Sequence, residues 1–178
     1  MSGRLVSGHQ RGRDRDAGDI VDEGTLPGSP AGGGRDAVRS WLQSYTLGAT
    51  IEDLYLDGIT RNNMATGNAL NNRLVGQGGN NTLTGLGGAD ILTGNSGLDT
   101  YVFGAGFGRD TITDFAEDGI ADHDTIRFED GLFADFADVQ AHATQSGNDV
   151  LITYNVSNRI TLSNMQLGDL TADDFLFA

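Results

Sequence analysis

The stretch Gly76–Val102, GQGGNNTLTGLGGADILTGNSGLDTYV, puts glycine at the start of every ninth residue. Glycine in a strand interior weakens the strand, so glycine at a fixed period marks turns at a fixed period. Extending the frame back to Gly67 gives four nonads: GNALNNRLV, GQGGNNTLT, GLGGADILT and GNSGLDTYV. The first position is Gly67, Gly76, Gly85 and Gly94; the sixth is Asn72, Asn81, Asp90 and Asp99; the eighth is Leu74, Leu83, Leu92 and Tyr101. With 27 glycines in 178 residues, four of four at one position has a chance of roughly 1 in 2000.

Nine residues divide into a glycine-rich turn of six and a strand of three with one apolar side chain inward. Two nonads close one coil with a strand on each side, and each strand lies parallel to the one a coil later, about 4.8 Å away. The expected architecture is an all-β solenoid whose core is one Leu or Tyr deep per strand. Beyond Tyr101 the pattern loosens: Gly108, Asp110 and Ile112 keep the order turn, acid, apolar, but Asp110 lies eleven residues after Asp99.

The flanks read differently. Residues 1–36 are poor in apolar side chains and are expected to be mostly disordered. From residue 37 the chain becomes apolar, and Ile51, Leu54, Leu56 and Ile59 are expected inward in lead-in strands over 37–66. Residues 134–145 carry near-helical apolar spacing, which predicts a short helix. Val150, Ile152 and Tyr154, then Ile160 and Leu162, predict an antiparallel hairpin. The acids Asp114, Glu117, Asp118, Asp122, Asp124, Glu129 and Asp130 read as a solvated rim, with a further ion among them as the alternative.

Formal net charge is −14. Residues 1–51 hold six arginines and six acids, so the whole excess sits in 52–178. That field repels nucleic acid and anionic membrane and suits divalent cations. There is no cysteine, so disulfide frameworks and thiol chemistry are excluded. His9, His123 and His142 form no H-E-x-x-H zinc motif, and GAGFGRD at 104–110 lacks the strand and helix context of a phosphate-binding loop. The start MSGRLVSGHQRGRDRD has no apolar core of a signal peptide, and no apolar run approaches membrane-spanning length.

The nonads GLGGADILT and GNSGLDTYV resemble the RTX, or hemolysin-type, family of secreted bacterial proteins with calcium-binding nonapeptide repeats; GNALNNRLV and GQGGNNTLT resemble its Asn-bearing variants. RDTITDF with HDTIRF is similar to the segment that closes the family's roll, and the stretch from Asn148 to Ala178 to its C-termini. The resemblance implies a right-handed parallel β-roll over 67–114, closed by a cap over 115–178 with a short helix and a β-hairpin. It implies Ca²⁺ between same-side turns, held by sixth-position side chains and turn carbonyls. Carried over, the same-side pairs are Asn72 with Asp90, Asn81 with Asp99, and Asp90 with Asp110, with Gly79, Gly88 and Gly97 shaping the turns. Asn72 and Asn81 offer a neutral oxygen, so sites using them are expected to be weak or empty, the alternative for both being a hydrogen-bonded ladder without metal; Asp90, which serves two of these pairs, is expected to matter most. The resemblance also implies type I export directed by the C-terminus, an extracellular location, and folding on Ca²⁺ after export. Only about 44 low-complexity residues precede the lead-in strands, so no catalysis is expected from this chain. The alternatives are a polysaccharide-binding or adhesion module, and the non-catalytic C-terminal part of a larger secreted protease, lipase or mannuronan epimerase. The threonines Thr82, Thr84 and Thr93 fall short of the flat array an ice-binding solenoid needs.

Overall fold

The structure is a computed structural model, and it describes residues 20–23, 35–57, 62–115 and 123–178. Its strands are β1 (Ile20–Glu23), β2 (Asp36–Ser40), β3 (Ser44–Thr46), β4 (Asp53–Leu56), β5 (Met64–Thr66), β6 (Arg73–Val75), β7 (Thr82–Thr84), β8 (Ile91–Thr93), β9 (Thr100–Phe103), β10 (Arg109–Ile112) and β11 (Thr125–Phe128). Then come helix α1 (Phe136–His142) and strands β12 (Ala143–Ser146), β13 (Asp149–Thr153), β14 (Arg159–Leu162) and β15 (Phe175–Phe177).

Strands alternate between two sheets, in the orders β1-β2-β4-β6-β8-β10-β14-β13-β12 and β15-β11-β9-β7-β5-β3. From β2 to β10 on one side and β3 to β11 on the other, every pairing is parallel. This is the β-roll that the nonads predict: Leu74 stands beside Leu92, and Leu83 beside Tyr101, each one 18-residue coil apart.

The core follows from the same register. One inner row is Val38, Leu54, Leu74, Leu92, Ile112, Leu162 and Val150. The facing row is Tyr45, Ala65, Leu83, Tyr101, Ile126 and Phe175. Except for the half-buried Tyr45, all of these are buried. Each buried Leu contributes roughly 1.5–3 kcal/mol, so a repeat strand with one such side chain adds little. The apolar mass lies at the C-terminal end. There Phe103 packs on Phe107 and Phe128, with centroids 5.2 and 6.3 Å apart, and Phe128 packs on Phe133 at 4.6 Å.

Several expectations are refined here. Ile20–Glu23 pairs antiparallel with β2, so structure begins inside the segment expected to be disordered; the two apolar residues Ile20 and Val21 interrupt its polar run. The rest of 1–34 lies outside the described residues, as do Ile59, Glu117, Asp118 and Asp122. The helix is shorter than its apolar spacing suggests: Asp135 caps it by accepting from the Asp138 N–H, and the chain turns extended at Ala143 to form β12. The antiparallel hairpin is β13 with β14. Trp41 is 43% exposed.

Candidate metal centre

The turns between the sheets carry the sixth-position residues, and these are the buried polar groups of the roll. Asn63, Asn72, Asn81, Asp90, Asp99 and Asp110 are each 1% exposed. They are joined in two ladders. On one side the Asn72 N–H donates to Asp90 Oδ1 (2.7 Å) and the Asp90 N–H to Asp110 Oδ1 (2.9 Å). On the other, the Asn63 N–H donates to Asn81 Oδ1 (3.2 Å), the Asn81 N–H to Asp99 Oδ1 (2.6 Å), and the Asp99 N–H to Asp124 Oδ1 (2.8 Å). So each of these acceptor side chains reaches back one coil with an oxygen. The three expected same-side pairs are all brought together.

The extra two residues before Asp110 do not break the ladder. They are taken up in the turn at 104–108, where Gly106 (φ +77°) and Gly108 (φ +91°) adopt left-handed backbone. Gly79, Gly88 and Gly97 lie at φ +91°, +132° and +133°. A Cβ on Gly88 would stand 2.3 Å from the Leu70 carbonyl oxygen, and one on Gly97 2.5 Å from that of Gly79. Glycine there lets successive turns nest.

One oxygen of each repeat carboxylate is spent on the ladder. The other is not: Asp90 Oδ2, Asp99 Oδ2 and Asp110 Oδ2 are buried and have no hydrogen-bond partner. First-position glycines leave the space that two of those oxygens use, since a Cβ on Gly85 would lie 2.1 Å from Asp90 Oδ2 and one on Gly94 2.1 Å from Asp99 Oδ2. Above Gly67, the Asn72 Oδ1 and the Gly85 carbonyl oxygen both come within 2.5 Å of one such point. A buried acceptor without a donor costs about 1–3 kcal/mol, more when charged. Burial accordingly pushes Asp90 and Asp99 up to about 6 and Asp110 up to about 8; the backbone N–H that each accepts only partly opposes it.

These donors suit a hard cation. Ca²⁺ takes six to eight oxygens, carboxylate and carbonyl alike, and the orphaned Oδ2 atoms are acceptors in a glycine-lined cradle between coils. Among the described residues no three acidic or histidine side chains chelate by themselves, so backbone oxygens must complete any shell. His123 Nδ1 stands 3.0 Å from Asp174 Oδ1 instead, and His142 Nδ1 2.8 Å from the Asp138 carbonyl.

The asparagines hold hydrogen bonds of their own in the ladders. Asn81 Nδ2 donates to the carbonyls of Gln77 (3.2 Å) and Gly79 (2.9 Å). Asn72 Nδ2 faces those of Ile51 and Glu52 at 3.3 Å, and Asn68 Nδ2 donates to Gly48 and Ile51 at 2.7 Å. An amide N–H₂ therefore serves turn carbonyls without any charge. Asn63 Nδ2 and Oδ1 are buried without a partner, and the unpartnered carboxylate oxygens begin at Asp90.

Of the acids expected on a solvated rim, Asp124 continues this ladder and Asp114 binds the turn beside it. Asp124 is 6% exposed and takes the place after Asp99; burial, first of all, pushes it up to about 7. Asp114 binds the Gly94 and Asn95 N–H groups. The signal for Asp124 was in the chain: DTYV, DTIT and DTIR at 99, 110 and 124 share acid, threonine and an inward apolar residue. Its 14-residue distance from Asp110 hid the register. Asp124 also gives Asp99 a second partner, so Asp90 is not singled out.

Residues 66–101 match four copies of the RTX calcium-binding nonapeptide repeat. Among solved structures, the chain is similar to the extracellular lipase LipA from Serratia marcescens, at 26% identity and a TM-score of 0.49 over 76% of this chain and 19% of that one. The chain thus aligns with under a fifth of the lipase. No curated protein matches it. The parallel coils over residues 66–101 thus carry the RTX calcium-binding nonapeptide repeat.

Proposed function

We propose that this chain is a calcium-gated folding module: Asp90, Asp99 and Asp110 hold Ca²⁺ between coils, and the roll becomes rigid only when the ions bind. The observation that carries this reading is the set of three buried carboxylate oxygens with no donor. A cation supplies what no N–H in the roll does. Because the site exists only when coils are stacked, binding energy is folding energy, about 2.7 kcal/mol per site at a hundredfold excess over Kd.

That coupling suits export. In a calcium-poor interior the acids of the roll repel and the one-residue core is too thin to oppose them, so the chain stays expanded and can be threaded through a type I exporter. Outside, millimolar calcium folds it, in the range of extracellular modules, about 10⁻⁴ to 10⁻³ M. The C-terminal residues 168–178 serve as the export signal in this reading. The lead-in over 37–66, the roll over 67–114 and the cap over 115–178 have no catalytic part; the chain acts as a non-catalytic module.

Far-UV circular dichroism and thermal melting of the full chain, with calcium and with a chelator, test the reading. A large gain of β signal and of midpoint with calcium is expected. Identical spectra and midpoints in both conditions would refute it.

A further inference from the structure

The six-stranded sheet turns an uncharged face outward. Its inward residues include Tyr45, Ala65, Leu83 and Tyr101, so the positions flanking them on β3, β5, β7 and β9 point away from the core. These are Ser44 and Thr46, Met64 and Thr66, Thr82 and Thr84, Thr100 and Val102. None carries a charge, in a chain of net charge −14. The outward positions of the nine-stranded sheet carry Arg39, Asp53, Arg73, Arg109 and Arg159 instead.

At the β3 end of this face lies an open hollow of about 530 Å³, a size within the range of small-ligand sites. Gln43, Asn62, Asn63 and Asn80 bring four amides to it, and Ser44 and Thr82 bring two hydroxyls. Met64, 51% exposed, adds an apolar patch. Among the described residues no charged side chain lines the hollow. Asn63 is its buried member, 1% exposed, and neither Nδ2 nor Oδ1 has a hydrogen-bond partner. Further along the same ladder, Asn81 Oδ1 and Asp99 Oδ1 each accept an N–H from one coil back. Asn63 precedes β5, whose neighbour β3 is the edge of the sheet, and its amide is left with both capacities unused. A buried amide in that state is costly and calls for a partner. Asn62 and Asn80 spend their side-chain oxygens on the Asn80 and Leu98 N–H groups, at 3.0 Å each, which leaves their N–H₂ groups as donors.

We infer that this hollow, with the hydroxyl row leading from it, binds a neutral glycan chain. A sugar hydroxyl both donates and accepts, and so do an amide and a hydroxyl side chain, so the lining can satisfy it without any charge. Met64 offers an apolar surface to the C–H face of a sugar ring. Ser44, Met64, Thr82, Thr100 and Thr125 stand in register on adjacent strands. At strand spacing that row is about 19 Å long, which suits a polymer better than a single sugar. An acidic glycan is disfavoured, because no basic side chain among the described residues lines the hollow and the field of the acidic chain repels it. The hollow needs stacked coils, but none of Asp90, Asp99 and Asp110 lines it, so it stands apart from the calcium sites of the roll.

Affinity electrophoresis of the full chain in calcium, through gels carrying dextran, galactomannan, xyloglucan or hyaluronate, tests this. The expected result is retardation by at least one of the three neutral polymers and none by hyaluronate. Free migration in all three neutral gels, or equal retardation by hyaluronate, overturns the inference and leaves the calcium reading intact. Met64→Glu places a carboxylate at the exposed rim and should weaken retardation about tenfold, the worth of one well-made polar contact. Asn63→Ala removes a side chain that bonds nothing in the fold. It should therefore keep the calcium-loaded melting midpoint while weakening retardation by about the same factor. Val156→Ala, at a residue 86% exposed between β13 and β14, should be retarded like wild type. Wild-type retardation of either Met64→Glu or Asn63→Ala overturns the site.

Discussion

Asp90→Asn should change sign with calcium. Where the coils stack without calcium, the Asp90 carboxylate is buried with one orphaned oxygen, and burial lifts it from 3.8 to about 6. A carboxyl whose folded pKa lies above its unfolded value costs nothing below the unfolded value, where both states are protonated. Its penalty grows between about pH 4 and 6 and is full above that. A displacement of about two pH units is worth about 3 kcal/mol at full strength, and solvent screening lowers this to about 1–2 kcal/mol. Asparagine removes the charge and has a template in the same roll. Asn81 keeps Oδ1 on the ladder and points Nδ2 at the carbonyls of Gln77 and Gly79; the equivalent carbonyls beside Asp90 belong to Leu86 and Gly88. Asp90→Asn should therefore raise the melting midpoint in chelator at pH 8 by about 2–8 °C. In millimolar calcium the variant gives up an ion worth about 2.7 kcal/mol at a hundredfold excess over Kd, and it should melt below wild type. Thermal melts by circular dichroism at pH 8, in both conditions, read the two signs. A variant less stable than wild type in chelator, or equally stable in calcium, would overturn this role for Asp90.

Other outcomes follow from the same geometry. Chelated wild type should lose stability as pH rises from about 4 to 8, because burial raises Asp90 and Asp99 to about 6, Asp124 to about 7 and Asp110 to about 8; melts across that range should show the fall, and saturating calcium should abolish it. Gly85→Ala puts a Cβ 2.1 Å from Asp90 Oδ2 and should weaken calcium binding in calorimetry. Gly168→Ala, with nothing within 4 Å, is the control and should match wild type in the same assay. Deleting 168–178 removes β15 and the buried Phe175 beside Ile126. It should lower the calcium-loaded midpoint as well as block secretion, and an unchanged midpoint would place the strand outside the folding unit.

Much of the roll is legible in the chain because its period is short and local. Glycine at one, acid or amide at six and an apolar residue at eight are consequences of turn geometry, carbonyl chemistry and a core one side chain deep, and each is set within nine residues. The period alone is enough to place Leu74 on Leu92 and Asp90 beside Asn72. What periodicity cannot carry is what happens once it stops. The ladder passes from Asp99 to Asp124 across 25 residues, and only the parallel pairing of β9 with β11 brings those groups together. Whether an asparagine offers its oxygen or its N–H₂ to a turn is likewise decided by which carbonyls the neighbouring coil leaves open. Asn68 and Asn72 turn their amides toward Gly48, Ile51 and Glu52, residues outside the repeat altogether. The number of donors around a buried carboxylate is a property of stacked coils, so it emerges only in three dimensions, and it is that shortage of donors that marks where a cation belongs.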